Sequence, residues 1–234
     1  MKSFLRCFYP LLSKQLAKKN VYLIGSLRDY TPENEAISGG VNSSLPIAYD
    51  HIRQATLFLC KEEIESRKLK GAVAEFGVYR GEFAAKINAL FPNRMLYLFD
   101  TFEGFDNKDV EKEVAGNYSA FRNDFSNTDI KLVMNKMKYP EKCIVKKGFF
   151  PDTTACIENV AFCFVSIDTD LYAPILSGLE FFYPRLEHGG YIFVHDYNCR
   201  HYKGSHQAVL QFCKENDALF VPLPDSYGSA VICK

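Results

Sequence analysis

The chain has no excess of either charge: 28 Lys and Arg balance 28 Asp and Glu over 234 residues, a formal net charge of +0. Without a positive field there is nothing to favour nucleic acid or an anionic membrane. No basic stripe with interleaved aromatics makes up for it. None of the eight cysteines (Cys7, Cys60, Cys143, Cys156, Cys163, Cys199, Cys213 and Cys233) forms a C-x-x-C pair. That argues against a zinc site and against a disulfide framework. Cys143, Cys163, Cys213 and Cys233 fall inside predicted strands or helices, where a reduced thiol packs as a small apolar group. No apolar run reaches membrane-spanning length. The stretch from Met1 to Leu12 is interrupted by Arg6 and Pro10, is followed by Lys14, Lys18 and Lys19, and has no small-residue cleavage pattern. The expectation is a cytoplasmic protein with a basic amphipathic start, peripheral membrane contact being the alternative. Internal repeats and low-complexity tracts are absent too. What remains, 47% hydrophobic and 24% charged residues, suffices for the core of one α/β domain with an N-terminal extension.

The chain is organised around the stretch Ala72 to Gly81. A short apolar run ends in Glu75, Gly77 and Gly81 follow, and Glu82 to Phe91 reads as a helix. A strand, a glycine turn and a helix N-terminus bring backbone N–H groups close to a ligand. Met95 to Asp100 is a second buried-strand run, and an acid at its tip is placed to accept both ribose hydroxyls of a nucleoside cofactor. The middle glycine of the G-x-G-x-x-G dinucleotide fingerprint is missing.

Upstream, Val21 to Gly25 suggests a strand and Thr31 to Ser44 a loop. Ile47 to Lys68 carries Ile47, Ile52, Ala55, Leu57, Phe58 and Ile64 at helical spacing, with Gly71 as its C-cap. Downstream, predicted strands 72–76, 95–100, 143–147, 162–168, 190–195, 218–223 and 229–233 alternate with predicted helices 82–91, 124–138, 171–185 and 205–215. Alternation argues for a parallel sheet with helices on both faces. The last two strands are joined by only 224–228, so they form a hairpin and place one antiparallel strand near the sheet edge. The connection from Thr101 to Glu141 is long enough for a structured lid over the strand ends.

Ligands of open α/β sheets bind outside the carboxyl ends of the strands. Those ends here carry Glu75 and Gly77, Asp100, Lys147 and Gly148, Asp168 and Asp170, and His195 and Asp196. Four of the five bear acids, which favours a site over scattered solvated loops. The segments 75–81, 99–104, 147–153, 166–172 and 189–197, in that order, resemble the macrocin/mycinamicin O-methyltransferase family (TylF/MycF type). The resemblance runs from about Ile47 to the C-terminus.

That resemblance implies a Rossmann-like class I methyltransferase fold, with a seven-stranded, mostly parallel sheet and an antiparallel C-terminal hairpin strand. It implies S-adenosylmethionine as cofactor and, as acceptor, a hydroxyl of a sugar or glycosylated small molecule. Residues 46–234 would be the methyltransferase domain, and 1–45 an extension serving as substrate cap or dimer contact. Glu75, Gly77 and Gly81 would hold the methionine end, and Asp100, Thr101 and Phe102 the ribose. Gly148 and Phe149 would line the adenine pocket, with Asp168 also in reach of the cofactor. Asp168, His195 and Asp196 fall where the family places divalent-metal ligands, and Asp168 is also its candidate base.

His195 departs from an all-carboxylate set. A hard ion such as Mg²⁺ takes oxygen ligands, whereas an imidazole favours Mn²⁺, Fe²⁺ or Zn²⁺. Without metal, His195 with an ordinary pKa of ~6.5 would itself suit a neutral-pH base. Asp170 is expected as the N-cap of the helix at Leu171, and the glycines at 189 and 190 as a turn. Phe149, Phe150, Tyr172 and Tyr197 would together make a wall for a sugar ring, and His201 and His206 belong to a solvated loop. Two other readings are a nicotinamide-dependent oxidoreductase and a non-catalytic cofactor-binding scaffold.

Overall fold

The computed structural model describes residues 51–119, 124–199 and 201–234. The extension expected over 1–45, with its strand and loop, and the start of the helix at Ile47 lie outside the described residues.

Seven strands form one sheet: β1 Ala72–Phe76, β2 Leu96–Asp100, β3 Cys143–Lys147, β4 Phe162–Ile167, β5 Leu186–Val194, β6 Phe220–Leu223 and β7 Ser229–Cys233. Their spatial order is β3-β2-β1-β4-β5-β7-β6. Neighbours from β3 to β5 pair parallel, and β7 pairs antiparallel with both β5 and β6. The expected fold class holds, with the antiparallel strand one place in from the edge. Among the described residues, six α-helices accompany the sheet: α1 His51–Ser66, α2 Glu82–Leu90, α3 Asn107–Ala115, α4 Ile130–Met134, α5 Tyr172–Arg185 and α6 Lys203–Glu215.

Side chains alternate along each strand, so the sheet is buried on both faces. Ala74, Tyr97, Phe99 and Ile192 pack against Ile175, Leu179 and Phe182 of α5 and Val209 and Phe212 of α6. Val73, Leu96, Leu98 and Phe193 pack against Leu57 and Ile64 of α1 and Phe83, Ala84 and Ile87 of α2. At roughly 1.5–3 kcal/mol for each fully buried large apolar side chain, these two layers dominate the stability of the domain.

Several local expectations are corrected. The buried stripe of α1 is Arg53, Leu57, Cys60 and Ile64; Ala55 is exposed and Phe58 is 49% exposed. Its C-terminal turn closes at Lys68 (φ 56), not at Gly71. The N–H of Lys68 donates to the Glu65 carbonyl and that of Leu69 to the Ile64 carbonyl, the paired bonds of a left-handed cap. The helix expected over 124–138 shrinks to α4, capped by Asp129, whose carboxylate accepts the Leu132 N–H at 2.8 Å. The lid region contains a helix that the pattern did not announce, α3, capped by Asp106. The two glycines at 189 and 190 lie within β5, where the register against β4 shifts, rather than in a turn before it. Asp170 does not cap α5. Leu171 occupies that position, and the Tyr172 N–H donates 2.8 Å to Glu113 of α3.

Candidate active site

Backbone hydrogen bonds hold five strand tips side by side. Gly148 N–H donates to the Asp100 carbonyl (3.0 Å), Gly77 to Phe99 (2.9 Å), Asp168 to Phe76 (2.7 Å) and His195 to Ile167 (2.9 Å). Their side chains converge on a cavity of about 620 Å³ that opens across the carboxyl edge. Of the residues singled out from sequence, Glu75, Gly77, Asp100, Thr101, Gly148, Phe149, Asp168, His195 and Asp196 line it. Gly81 and Phe102 are not among the lining residues. Gly81 sits at the N-cap of α2 (φ 79) against Val133, and Phe102 is buried with the α1/α2 layer.

Gly77 is required by contact as well as conformation: at φ 88, a Cβ would lie 2.0 Å from the Asp168 carbonyl oxygen. The turn's amides are already engaged within the protein. Val78 and Tyr79 N–H donate to Asp100 Oδ2 at 2.7 and 2.8 Å, and Phe102 N–H donates to Oδ1 at 2.6 Å. Burial raises the Asp100 carboxyl, and these three amides oppose the rise. An ionised carboxylate has about four acceptor positions, so Asp100 can still accept a hydroxyl from the cavity.

Glu75 is 1% exposed, and its Oε2 has no hydrogen-bond partner within the described residues. Burial holds it well above the ordinary glutamate value. An orphaned polar atom in a cavity wall marks a place where a ligand supplies the missing bond. Thr169 Oγ1, also in the wall, is orphaned in the same way. The cavity therefore fits a polar cofactor at the β1 tip.

At the β4 and β5 tips, His195 Nδ1 lies 3.1 Å from Asp168 Oδ1 and 2.9 Å from Asp196 Oδ2. Arg53, 3% exposed, reaches in from α1: Nη1 donates to Asp168 Oδ2 and Nη2 to Ser166 Oγ, both at 2.9 Å. Its guanidinium carbon sits 3.8 Å from the centre of the Phe83 ring. Burial alone would raise Asp168, but the His195 and Arg53 charges hold it below the usual carboxylate range. Burial would lower His195, yet Asp168 and Asp196 hold the imidazole well above its ordinary value. The imidazole is thus held between two carboxylates, an environment different from that of the unperturbed group. Asp170 is pushed well above the carboxylate range by burial and then by Asp196 and Asp168.

The ligating atoms of Asp168, His195 and Asp196 all lie within 4.8 Å of one another. One imidazole nitrogen and two carboxylate oxygens converge, and Arg53 secures the outer oxygen of Asp168 as an outer-shell partner does for a ligating carboxylate. The donor set fits a divalent ion, and its nitrogen favours Mn²⁺, Fe²⁺ or Zn²⁺.

The roof comes from the segment after β2. Glu113, buried on α3, accepts from Ser119 Oγ (2.6 Å) and from Tyr172 N–H, which ties α3 to the start of α5. Phe105, Val110 and Tyr227 pack on Leu171, Cys199 and Tyr202. Asp109 lines the cavity from α3, with burial raising its carboxyl to about 6. The expected aromatic wall is made largely by other rings. Phe149 and Phe150 line the cavity, joined by Tyr79, Phe105, Phe125, Tyr202 and Tyr227, whereas Tyr172 and Tyr197 are not among the lining residues. His201 lines the cavity; His206 stacks on Tyr197 at 4.5 Å.

The sequence model of the family described as macrocin-O-methyltransferase (TylF) matches residues 48–226. A search of curated proteins finds no match. Among solved structures, the O-methyltransferase NovP has a TM-score of 0.65 at 16% identity, covering 86% of this chain and 95% of its own. The calicheamicin methyltransferase CalS11 has a TM-score of 0.60 at 19% identity, with 90% and 97% covered. An apo structure of CalS11, described as a TDP-rhamnose 3'-O-methyltransferase, has a TM-score of 0.53 at 17% identity, with 93% and 98% covered. At these identities the likeness to the solved structures is one of fold.

Proposed function

The chain belongs to the macrocin O-methyltransferase family and is an O-methyltransferase; from that premise we propose that it transfers the methyl group of S-adenosylmethionine to a hydroxyl of a sugar or glycosylated small molecule. The observation that carries this reading is the cavity at the carboxyl edge. It gathers Glu75, Asp100, Asp168, His195 and Asp196 from four strand tips, in a family of O-methyltransferases. The sugar acceptor is drawn from the family description and from CalS11, whose acceptor is a TDP-linked sugar by its own description.

Glu75, Gly77, Asp100, Thr101, Gly148 and Phe149 bind the cofactor in this reading, and Gly81 and Phe102 support it from behind. The sulfonium methyl is already electrophilic, so alignment of the acceptor oxygen matters most; good alignment supplies ~7–11 kcal/mol. As the carbon–oxygen bond forms, the carbon–sulfur bond breaks with its electron pair going to the thioether, and the hydroxyl proton passes to Asp168. A low-lying carboxylate is a weak base for an alcohol. The methylated oxygen, however, is a far stronger acid than any carboxylic acid, so Asp168 is competent once bond formation is under way. Arg53 and His195 orient it.

A divalent ion, held by Asp168, His195 and Asp196, would supply Lewis-acid polarisation of the acceptor oxygen. Exhaustive EDTA treatment is then expected to abolish most activity and Mn²⁺ to restore it. Full activity after metal removal would end the metal's role.

S-adenosylhomocysteine at a hundred times its dissociation constant is expected to stabilise the fold by ~2.7 kcal/mol, roughly 5–11 °C in midpoint for a chain of this length. A shift with NAD⁺ and none with S-adenosylhomocysteine would instead favour the nicotinamide oxidoreductase. Cofactor binding with no turnover on any hydroxylated acceptor would favour the non-catalytic scaffold. We assign catalysis to 46–234 and read 1–45 as a substrate cap or dimer contact. The free thiols at Cys60, Cys163, Cys199 and Cys213 support a cytoplasmic setting. No helix among the described residues is long and apolar enough to cross a membrane.

A further inference from the structure

Behind the β5 tip, the loop joining β6 to β7 carries a fully buried carboxylate, Asp225. It does not line the cavity, although the next two residues, Ser226 and Tyr227, do. Both of its oxygens turn onto the start of β7. Oδ1 accepts the Ser229 N–H and Oδ2 the Ser229 hydroxyl, each at 2.6 Å. The Asp225 carbonyl accepts the Gly228 N–H at 3.2 Å. Between these anchors Tyr227 (φ 61) and Gly228 (φ 71) are both left-handed. A tyrosine in that conformation is uncommon and persists only where its surroundings hold it.

The loop so held grips the turn that follows β5. Tyr197 N–H donates to the Gly228 carbonyl at 2.8 Å, and Asn198 N–H to the Tyr227 carbonyl at 2.9 Å. The residue immediately before them is Asp196, itself left-handed at φ 59 and 4% exposed. Loop and turn are in close contact, since a Cβ at Gly228 would lie 2.5 Å from Asn198 Nδ2. The Tyr227 ring stands edge to face with the His195 imidazole, their centres 6.4 Å apart at 83°. Two backbone bonds and one ring contact therefore run from the loop to the β5 side of the cluster.

We propose that Asp225 is a positioning residue for Asp196 and His195. It touches no reacting atom and acts by fixing the loop 225–228, which in turn fixes the exit from β5. This rests on the reading of Asp168, His195 and Asp196 as the catalytic cluster.

The test compares wild type, Asp225→Asn and Gly228→Ala by two readouts. One is Mn²⁺ titration, followed by the spin-resonance signal of the free ion. The other is the carbon–proton NMR correlation of the histidine rings, with His195 assigned by the resonance missing from His195→Asn. Asp225→Asn keeps the shape but leaves a single acceptor oxygen for the two Ser229 donors. Gly228→Ala displaces the same loop without changing any charge, which separates placement from the field that Asp225 and Arg53 exert on each other. Both variants are expected to weaken Mn²⁺ binding about tenfold, the low end for a residue supporting metal ligands from outside. Both should shift the His195 resonance and leave that of His188, at the other end of β5, in place. Affinity for S-adenosylhomocysteine, assigned to the β1 to β3 tips, should not change. Should either variant fail to fold, Ser229→Ala removes only the Oδ2 bond and should give a smaller shift of the same kind.

A lower melting temperature with Mn²⁺ affinity and the His195 resonance both unchanged would make Asp225 a brace for the hairpin alone and overturn the proposal. So would an effect confined to Asp225→Asn, or an equal loss of S-adenosylhomocysteine affinity. Wild-type protein that takes up no Mn²⁺ counts against the metal reading, and the His195 resonance then decides the role of Asp225. Failure of S-adenosylhomocysteine to bind the wild type counts against the methyltransferase reading instead.

Discussion

Asp168→Asn is expected to lower the rate of methyl transfer by ~10²–10⁴, the usual contribution of a positioned proton acceptor. Asparagine keeps the size and shape of the side chain but cannot take the hydroxyl proton. It also cannot hold a charge against Arg53 and His195, which lie 2.9 and 3.1 Å from its two oxygens. The rate and the affinity should separate. In the proposed reading Asp168 borders the cofactor as well as the acceptor, so losing one hydrogen bond there is expected to cost about 1 kcal/mol, roughly fivefold in S-adenosylhomocysteine affinity. The measurement pairs single-turnover methyl transfer with S-adenosylhomocysteine titration. A variant that retains the wild-type rate would refute the assignment of Asp168 as base. One that loses rate and cofactor affinity in equal measure would move Asp168 to the cofactor.

The strand tips are legible in sequence because each strand is a short apolar run ending at a polar group, and parallel crossovers bring such ends to one edge. β1, β3 and β7 accordingly lie at their expected residues. The roof helix α3 is not legible, because its pattern is inverted. Asp109 and Glu113 are buried while Val114 is 52% exposed, so no apolar stripe announces a helix. The reason is non-local: Glu113 accepts the N–H of Tyr172, a partner 59 positions away in the chain. The same bond explains the misplaced cap, since α5 draws its capping carboxylate from α3 and leaves Asp170 to turn into the acidic cluster at φ 60. Arg53 left a trace of a different kind. It stands at the spacing 53, 57, 60, 64, where a helix facing the sheet should carry an apolar residue. A charge on a buried stripe signals an internal partner, and that signal was present in the residues.

That partner makes Arg53→Met the substitution with the largest expected effect on stability. The guanidinium is buried, forks between Asp168 and Ser166, and stacks on Phe83. Methionine can replace the packing on Phe83 but not the charge, so Asp168 remains partly buried beside His195 without the guanidinium. Breaking a buried pair from one side costs ~3–5 kcal/mol. Asp168 retains 24% side-chain exposure, which places the loss near ~3 kcal/mol, roughly 6–12 °C in melting temperature for a chain of this length. Arg53→Lys keeps the charge but cannot serve both oxygens through one planar fork, so it should fall between wild type and methionine. The decisive arm is the double variant Arg53→Met with Asp168→Asn, in which no uncompensated carboxylate remains. It should be more stable than the sum of the two single losses allows, by more than the ~0.5 kcal/mol within which independent sites add. Strict additivity would mean that Arg53 acts through its packing on Phe83 alone, and that Asp168 is held in place by His195 and the strand.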